Sequence, residues 1–499
     1  MGRGAAAHGG EGGDEKYAQM KTSMADKATL HNGQPRENPH AHHFYIDGRI
    51  YDFAEWRHIH PGGDIFFSAA FQRDISAAVH AYHANPEALS PILAKYEVEL
   101  PDKEPHDLIA SYMNVPQFIL PPGFDAVRDV PQYDWDKKFM SVLRSKLRKP
   151  ELQRKIKRAD FAFDVVATGI IMLHYFLCFP AMYFGLVPCW VLVMGQVLTR
   201  TALAAVGHYH CHRRKDGIHD WADCFFDVQY VGASEVLFDG HVMLHHLYTE
   251  TPADVKRTVF NFVLTLPRIW RVPLFTMTKF GEFFSGHLVR ILNFEFRTRS
   301  KAQRFKEAQL IAFRCVMLAE FFWACFCSRW QIWCLQFFCT VWLNMFLIVA
   351  SHDFEVVRED QSYVGLDWGI FQIQHALDTY ITGVQAVDLF LSAGLSCHRV
   401  HHCLPYQKSG FANIVSLPAV KSTCEEFGVE WAPARNLILD RWFPLMWYYL
   451  TAPAQVPAIP APIQTGGPGI WGFVKEHMLL RDYRRAVLSI WGSFTGATI

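Results

Sequence analysis

The sequence predicts a small soluble N-terminal module fused to an all-α integral membrane domain with about four transmembrane helices in two hairpins. Three observations carry this. Hydrophobic residues make up 51% of the 499 positions and charged ones only 19%, an apolar excess that falls almost entirely after residue 158. Four runs of near-bilayer length pair across short loops there. The chain also has 25 histidines, and they cluster beside those runs. A net charge of zero gives no reason to expect a nucleic-acid partner.

Residues 1–42 read as a flexible, Gly-rich and polar tail. MGRGAAAHGGEGG has no apolar core of a secretory signal, and Ala6 stands where myristoylation needs Ser or Thr. Residues 43–101 mix acids, aromatics and short apolar alternations, as a compact soluble domain does. Residues 102–158 read as a polar, partly helical connector. It ends in SKLRKPELQRKIKR, a basic run suited to an anionic cytoplasmic membrane surface.

The membrane domain is placed at 159–450. The runs 161–184 and 190–207 are joined by GLVPC, and 309–328 and 331–350 by CSRWQ. Each is close to the roughly 20 residues that span the hydrocarbon core. Asp164, Arg200 and Arg314 interrupt them, as they would a buried soluble helix; four runs in two tight hairpins favour membrane spans. Two hairpins put 145–158, 208–308 and everything after 351 on one side. HRRK and RTRSKAQRFK lie in those segments, so that side is expected to be cytosolic. The stretches 258–280 and 382–395 are expected in the interface. The 12 cysteines form no paired framework and fit a reduced setting as small apolar side chains. Residues 451–499 read as a tail without a derivable role.

GHYHCH supplies His208 and His212, with His210 between them; HVMLHH supplies His241, His245 and His246; SHDFE supplies His352; HRVHH supplies His398, His401 and His402. Side chains at i and i+4 share a helix face. Each of His208/His212, His241/His245 and His398/His401/His402 is therefore expected to point into one pocket. Neutral imidazole suits iron, zinc, copper and nickel. One zinc needs only three or four ligands, so nine histidines from four segments suit two metals with open positions. None of these clusters carries the Glu-x-x-His pair of the soluble carboxylate-bridged type.

The spacing of these clusters resembles the membrane fatty acid desaturase superfamily with its three histidine boxes. GLSCHRVHHCLP followed by ANIVSLPAVKSTCEEFGVEW, and the upstream LDWGIFQ with Asp367 and Trp368, resemble the front-end members; the likeness covers about 160–430. His398 stands where front-end enzymes usually carry Gln, the second box is His-x-x-x-His-His, and Tyr209 replaces a common acid. The resemblance implies two non-haem irons held by His208, His212, His241, His245, His246, His352, His398, His401 and His402. His352 corresponds by position to an extra histidine after the fourth span. His210 and His375 have no counterpart and are expected to be structural or to support the ligands.

His60-Pro61-Gly62-Gly63 resembles the haem-binding motif of cytochrome b5, with YIDGR before it, so 43–101 is expected to be a small α+β haem domain. That likeness makes His60 and His83 the axial ligands of haem b, with His80 the alternative to His83. Phe66, Phe67, Phe71 and Tyr82 are expected in an apolar haem pocket. Two axial histidines leave the haem an electron carrier that does not activate dioxygen. A tethered donor acts at an effective concentration of about mM.

Together the resemblances imply a dioxygen-dependent desaturase of a fatty acyl-CoA or acyl-lipid in the endoplasmic reticulum membrane, among membrane lipids, with haem domain and boxes cytosolic. No G-x-G-x-x-G in strand–turn–helix context is found, so a separate NADH-dependent cytochrome b5 reductase is the expected electron source. A long-chain-base desaturase of sphingolipids, an acyl hydroxylase and a non-catalytic haem-binding membrane protein use the same scaffold and remain alternatives. Double-bond position and chain length are not legible.

Overall fold

A computed structural model describes residues 42–62, 65–68, 74–99, 131–213, 222–231, 238–251, 254, 266–292, 301–352 and 364–451. The expected tails, the connector up to 130, and Phe71 lie outside them.

The N-terminal module opens with an antiparallel hairpin of β1 (His43–Ile46) and β2 (Arg49–Asp52). Asp47 and Gly48 turn it, both at positive φ. Asp-Gly suits a two-residue turn that requires φ > 0 at both positions. Phe44, Ile46, Tyr51, Phe53, Phe67 and Ile75 form its core. Helix α1 (Trp56–Ile59) leads into His60, and α2 (Ser76–Tyr82) ends at His83.

Residues from 131 onward are built into the larger domain. Helix α3 (Phe139–Leu147) buries Phe139, Leu143 and Leu147. Gly369 allows this approach, since a Cβ there would lie 2.5 Å from Phe139 Cδ1. The basic run forms the first turns of α4 (Pro150–Met172), which continues through a π-helical turn at Leu173–Cys178 and stops at Gly185 in the left-handed conformation. Helix α5 (Cys189–Cys211) returns alongside it. A second hairpin pairs α7 (Lys301–Phe326) with α8 (Trp330–Ala350), and α6 (Arg268–Leu292) packs against both.

The first hairpin is apolar outside and polar within. Phe161, Phe176, Phe184 and Trp190 are each about 70% exposed, a surface that calls for lipid or a partner. The charges interrupting the runs are paired, Arg200 and Arg314 inside the bundle and Asp164 on its half-exposed face. Arg200 bonds Glu320, Arg314 reaches Asp227 at 2.9 Å, and Arg213 reaches Asp164 at 2.6 Å. Among the described residues two helices are long and apolar enough to cross a membrane, Pro150–Ala181 and Cys189–Cys211. Helices α7 and α8 occupy the other two expected runs.

Helices α5 and α8 pack side by side, and their C-terminal ends meet at the histidines. The segment Asp223–Gln229 lies tightly across α5. A Cβ on Gly207 would sit 2.1 Å from the Phe226 backbone nitrogen, so only glycine fits just before His208. Beyond α8, α9 (Trp368–Gln374) is capped by the Asp367 side chain accepting from Ile370 N at 3.2 Å. The third histidine cluster forms α10 (His398–Cys403), and α11 (Gly410–Glu426), capped by Ser409, covers it.

Candidate dinuclear metal centre and haem pocket

The nine clustered histidines are all buried in one place. They separate into two groups whose ring nitrogens lie within 4.8 Å of one another: His208, His212, His241, His246 and His401 in one, His245, His352 and His402 in the other. His398 adjoins the second, its Nε2 3.1 Å from that of His402. The expectation that each sequence cluster serves one pocket is corrected in detail, because clusters two and three are split between the groups. Phe238–His245 is π-helical, so positions five apart come into register. His241 and His246 therefore face each other, with Nε2 atoms 3.0 Å apart, and His245 turns to His352 at 3.0 Å. On α10, His401 goes to the first group and His402 to the second.

The donor set fits metal ions. In five rings Nδ1 is committed, which leaves Nε2 for the centre. Asp254 Oδ2 lies 2.8 Å from His245 Nδ1, and the His375 carbonyl 3.0 Å from His352 Nδ1. The Ser351 carbonyl lies 3.2 Å from His398 Nδ1, Gln372 Oε1 3.0 Å from His402 Nδ1, and the Ala393 carbonyl 3.3 Å from His208 Nδ1. Such partners fix the tautomer and aim the other nitrogen. Burial, then the neighbouring imidazoles, holds His246 and His402 well below the usual histidine pKa. They stay neutral, as metal ligation requires. Arg441 braces the end of α8, donating to the Ala350 carbonyl at 2.8 Å and to that of His352.

Asp254, Gln372, Thr249, whose Oγ1 lies 3.1 Å from His402 Nδ1, and the carbonyls of Ser351, His375 and Ala393 escaped the sequence reading. The only local signal was a carboxylate nine residues after His245. His210 stands outside both groups, 3.8 Å from Asp164. His375 stacks on Phe371 and supports His352 through its backbone.

In the N-terminal module the rings of His60 and His83 lie with centroids 6.1 Å apart. Metal–imidazole bonds of about 2 Å place two axial rings roughly 6 Å apart, so the pair fits one iron between them. His83 Nδ1 is 2.9 Å from the Val79 carbonyl, which frees its Nε2. Phe66 and Phe67 flank His60. Gly62 makes room, since a Cβ there would come within 2.9 Å of both His60 and Phe66. His80 is engaged elsewhere, bonding Asp47 at 3.0 Å and stacking on Trp135 at 4.1 Å. Tyr82, expected in the pocket wall, instead reaches across to the larger domain, its O–H donating to the Val242 carbonyl at 2.6 Å.

Two facing histidines in a small module beside a buried nine-histidine pocket that could hold metal fit a metal-dependent oxidoreductase. Comparison with known families gives the particular kind. Residues 181–433, just over half of the chain, match the fatty acid desaturase family model, and 30–114 match the cytochrome b5-like heme/steroid binding domain. The chain belongs to the fatty acid desaturase family, which is membrane-bound, and it desaturates fatty acyl chains using dioxygen. It is similar to probable Delta(5) fatty acid desaturase C of Dictyostelium discoideum, 22% identical over 77% of this chain and 86% of that one. Delta(5) fatty acid desaturase A of the same organism is 22% identical over 77% and 85%. Acyl-lipid (8-3)-desaturase B is 21% identical over 84% and 92%. No solved structure matches the chain.

Proposed function

We propose that this enzyme is a front-end desaturase that places a double bond at carbon 5 of a long acyl chain, with two irons in the nine-histidine pocket and haem b between His60 and His83. Two relatives carry the Delta(5) name, and the convergence of Nε2 atoms whose Nδ1 atoms are held carries the metal assignment. His208, His212, His241, His246 and His401 hold one iron; His245, His352, His398 and His402 hold the other. Irons there supply the oxidising power to take hydrogen from two neighbouring unactivated carbons. Dioxygen leaves as water, and the balance takes two electrons and two protons from outside. The chain's own residues keep the ligands neutral and aimed, and their burial keeps bulk water from the reacting carbons.

The four helices α4, α5, α7 and α8 form two membrane hairpins, with 43–101 as the haem domain and 159–450 as the desaturase domain. The buried pairing of Arg200 with Glu320 and of Arg314 with Asp227 supports the hairpin reading, since intramembrane charges are tolerated when paired inside the bundle. The basic start of α4 supports a cytosolic location for the histidines in the endoplasmic reticulum. A separate NADH-dependent reductase feeds the haem.

The test is lipid analysis of a host with defined fatty acids expressing this chain, fed C16–C22 acyl chains, with double bonds located by mass spectrometry. A new bond at carbon 5, lost in His401→Ala, supports the reading. A bond elsewhere overturns the position, and well-expressed protein without non-haem iron overturns the metal assignment.

A further inference from the structure

The module carrying His60 and His83 is held against the desaturase domain, and its contact lies beside one of the two histidine groups. Arg144 donates to the His80 carbonyl at 2.6 Å, Arg148 to Asn85 Oδ1 at 2.8 Å, and His80 stacks on Trp135. These contacts hold the C-terminal end of α2 and the turn after it. Beside them, Phe66, Ala78 and Tyr82 pack on Cys211, Phe226, Val242 and Met243. Tyr82 is covalently next to His83. Its ring lies 6.4 Å from that of His212 and 6.1 Å from that of Phe66. Its hydroxyl bonds Val242, the residue after His241. His212 and His241 belong to the same five-histidine group.

We propose that Tyr82 is the positioning residue that couples the haem domain to the dinuclear centre, and that electrons enter through the five-histidine site. This rests on the haem and metal assignments above. One peptide bond separates Tyr82 from an axial ligand, and one hydrogen bond plus one backbone step separate it from His241. Electronic coupling falls steeply with separation, so the shortest bonded route dominates. Each transfer oxidises one ferrous haem to ferric and reduces one ferric non-haem iron to ferrous. Tyr82 gains and loses no proton. Burial raises its pKa well above the usual phenol, and its O–H stays on the Val242 carbonyl throughout.

The experiment uses the full chain in lipid nanodiscs with ferric haem and ferric non-haem iron, without acyl substrate and under argon. Flash photoreduction of the haem is followed by the decay of its ferrous Soret band. In Tyr82→Ala the internal decay is expected to slow about tenfold or more, a barrier rise of about 1.4 kcal/mol. Haem content, non-haem iron content and oxidation by added ferricyanide stay unchanged. Tyr82→Phe, which keeps the ring and the packing, is expected to fall between Tyr82→Ala and wild type and guards against misfolding of the alanine variant. Arg144→Ala, which loosens the clamp without touching Tyr82, is expected to slow the decay as well. Wild-type decay rates in both Tyr82 variants overturn the proposal. Wild-type protein lacking haem or non-haem iron instead overturns the assignments beneath it, and metal analysis separates the two failures.

Discussion

The His60/His83 pair and the nine-histidine pocket are both built from imidazoles, but they are organised over different distances. His60 and His83 lie 23 positions apart in one small domain, and the group that orients His83 is the Val79 carbonyl of its own helix. In the other pocket the partners of Nδ1 come from nine residues away for His245 to 185 away for His208. A local site tolerates loss of the rest of the chain. A site assembled from four segments exists only when the helices carrying them are in place, because the aim of five of its ligands is set by residues elsewhere in the chain.

The largest effect expected from that difference is a clean separation of the metals. His401→Ala should leave no detectable product and lower the non-haem iron while the haem Soret band stays at wild-type intensity. His83→Ala should do the reverse, losing the Soret band and the product but keeping the non-haem iron. Loss of both metals in either variant would show that the two pockets fold as one unit. Almost as sharp is His80→Ala, which should keep the Soret band in full because that ring faces Asp47 and Trp135; loss of haem there would exchange the roles of His80 and His83.

A smaller effect tests the long-range bracing. Asp254→Asn removes the carboxylate charge beside His245, and metal affinity or activity should fall about 10–100-fold, the usual cost of such a partner. Isothermal titration with Fe²⁺ on metal-stripped protein would measure it, and an unchanged affinity would mean that ligand convergence alone suffices. Smallest of all, Glu97→Gln breaks the Arg49 pair at 3.1 Å on the exposed face of the haem domain. It should shift stability by no more than about 1 kcal/mol and leave haem binding untouched; haem loss on chemical denaturation would read both.

Much of the molecule was legible before folding. HPGG was legible through its resemblance to the cytochrome b5 motif, and Gly62 sits where a Cβ would strike His60 and Phe66. The Asp47-Gly48 turn follows from local residue type. The histidine clusters were visible as ligands by number alone. Their division between the groups was not, since helical spacing predicts His241 with His245, and the π-helical turn pairs His241 with His246 instead. Arg200, Arg314 and Asp164 appeared as interruptions of apolar runs because their partners Glu320, Asp227 and Arg213 lie 49 to 120 residues away.

The sequence by itself determined the two modules, the apolar runs and the imidazole-rich chemistry, which rest on residue type and spacing within a few turns of chain, while the resemblance to cytochrome b5 pointed to His60 and His83. The tertiary structure alone decided which histidine joins which group, which carbonyl or carboxylate aims it, and where the haem domain rests. Those depend on side chains meeting across elements, and the geometry of such a meeting is set by packing, as at Gly207 against Phe226, Gly369 against Phe139 and Tyr82 against Val242.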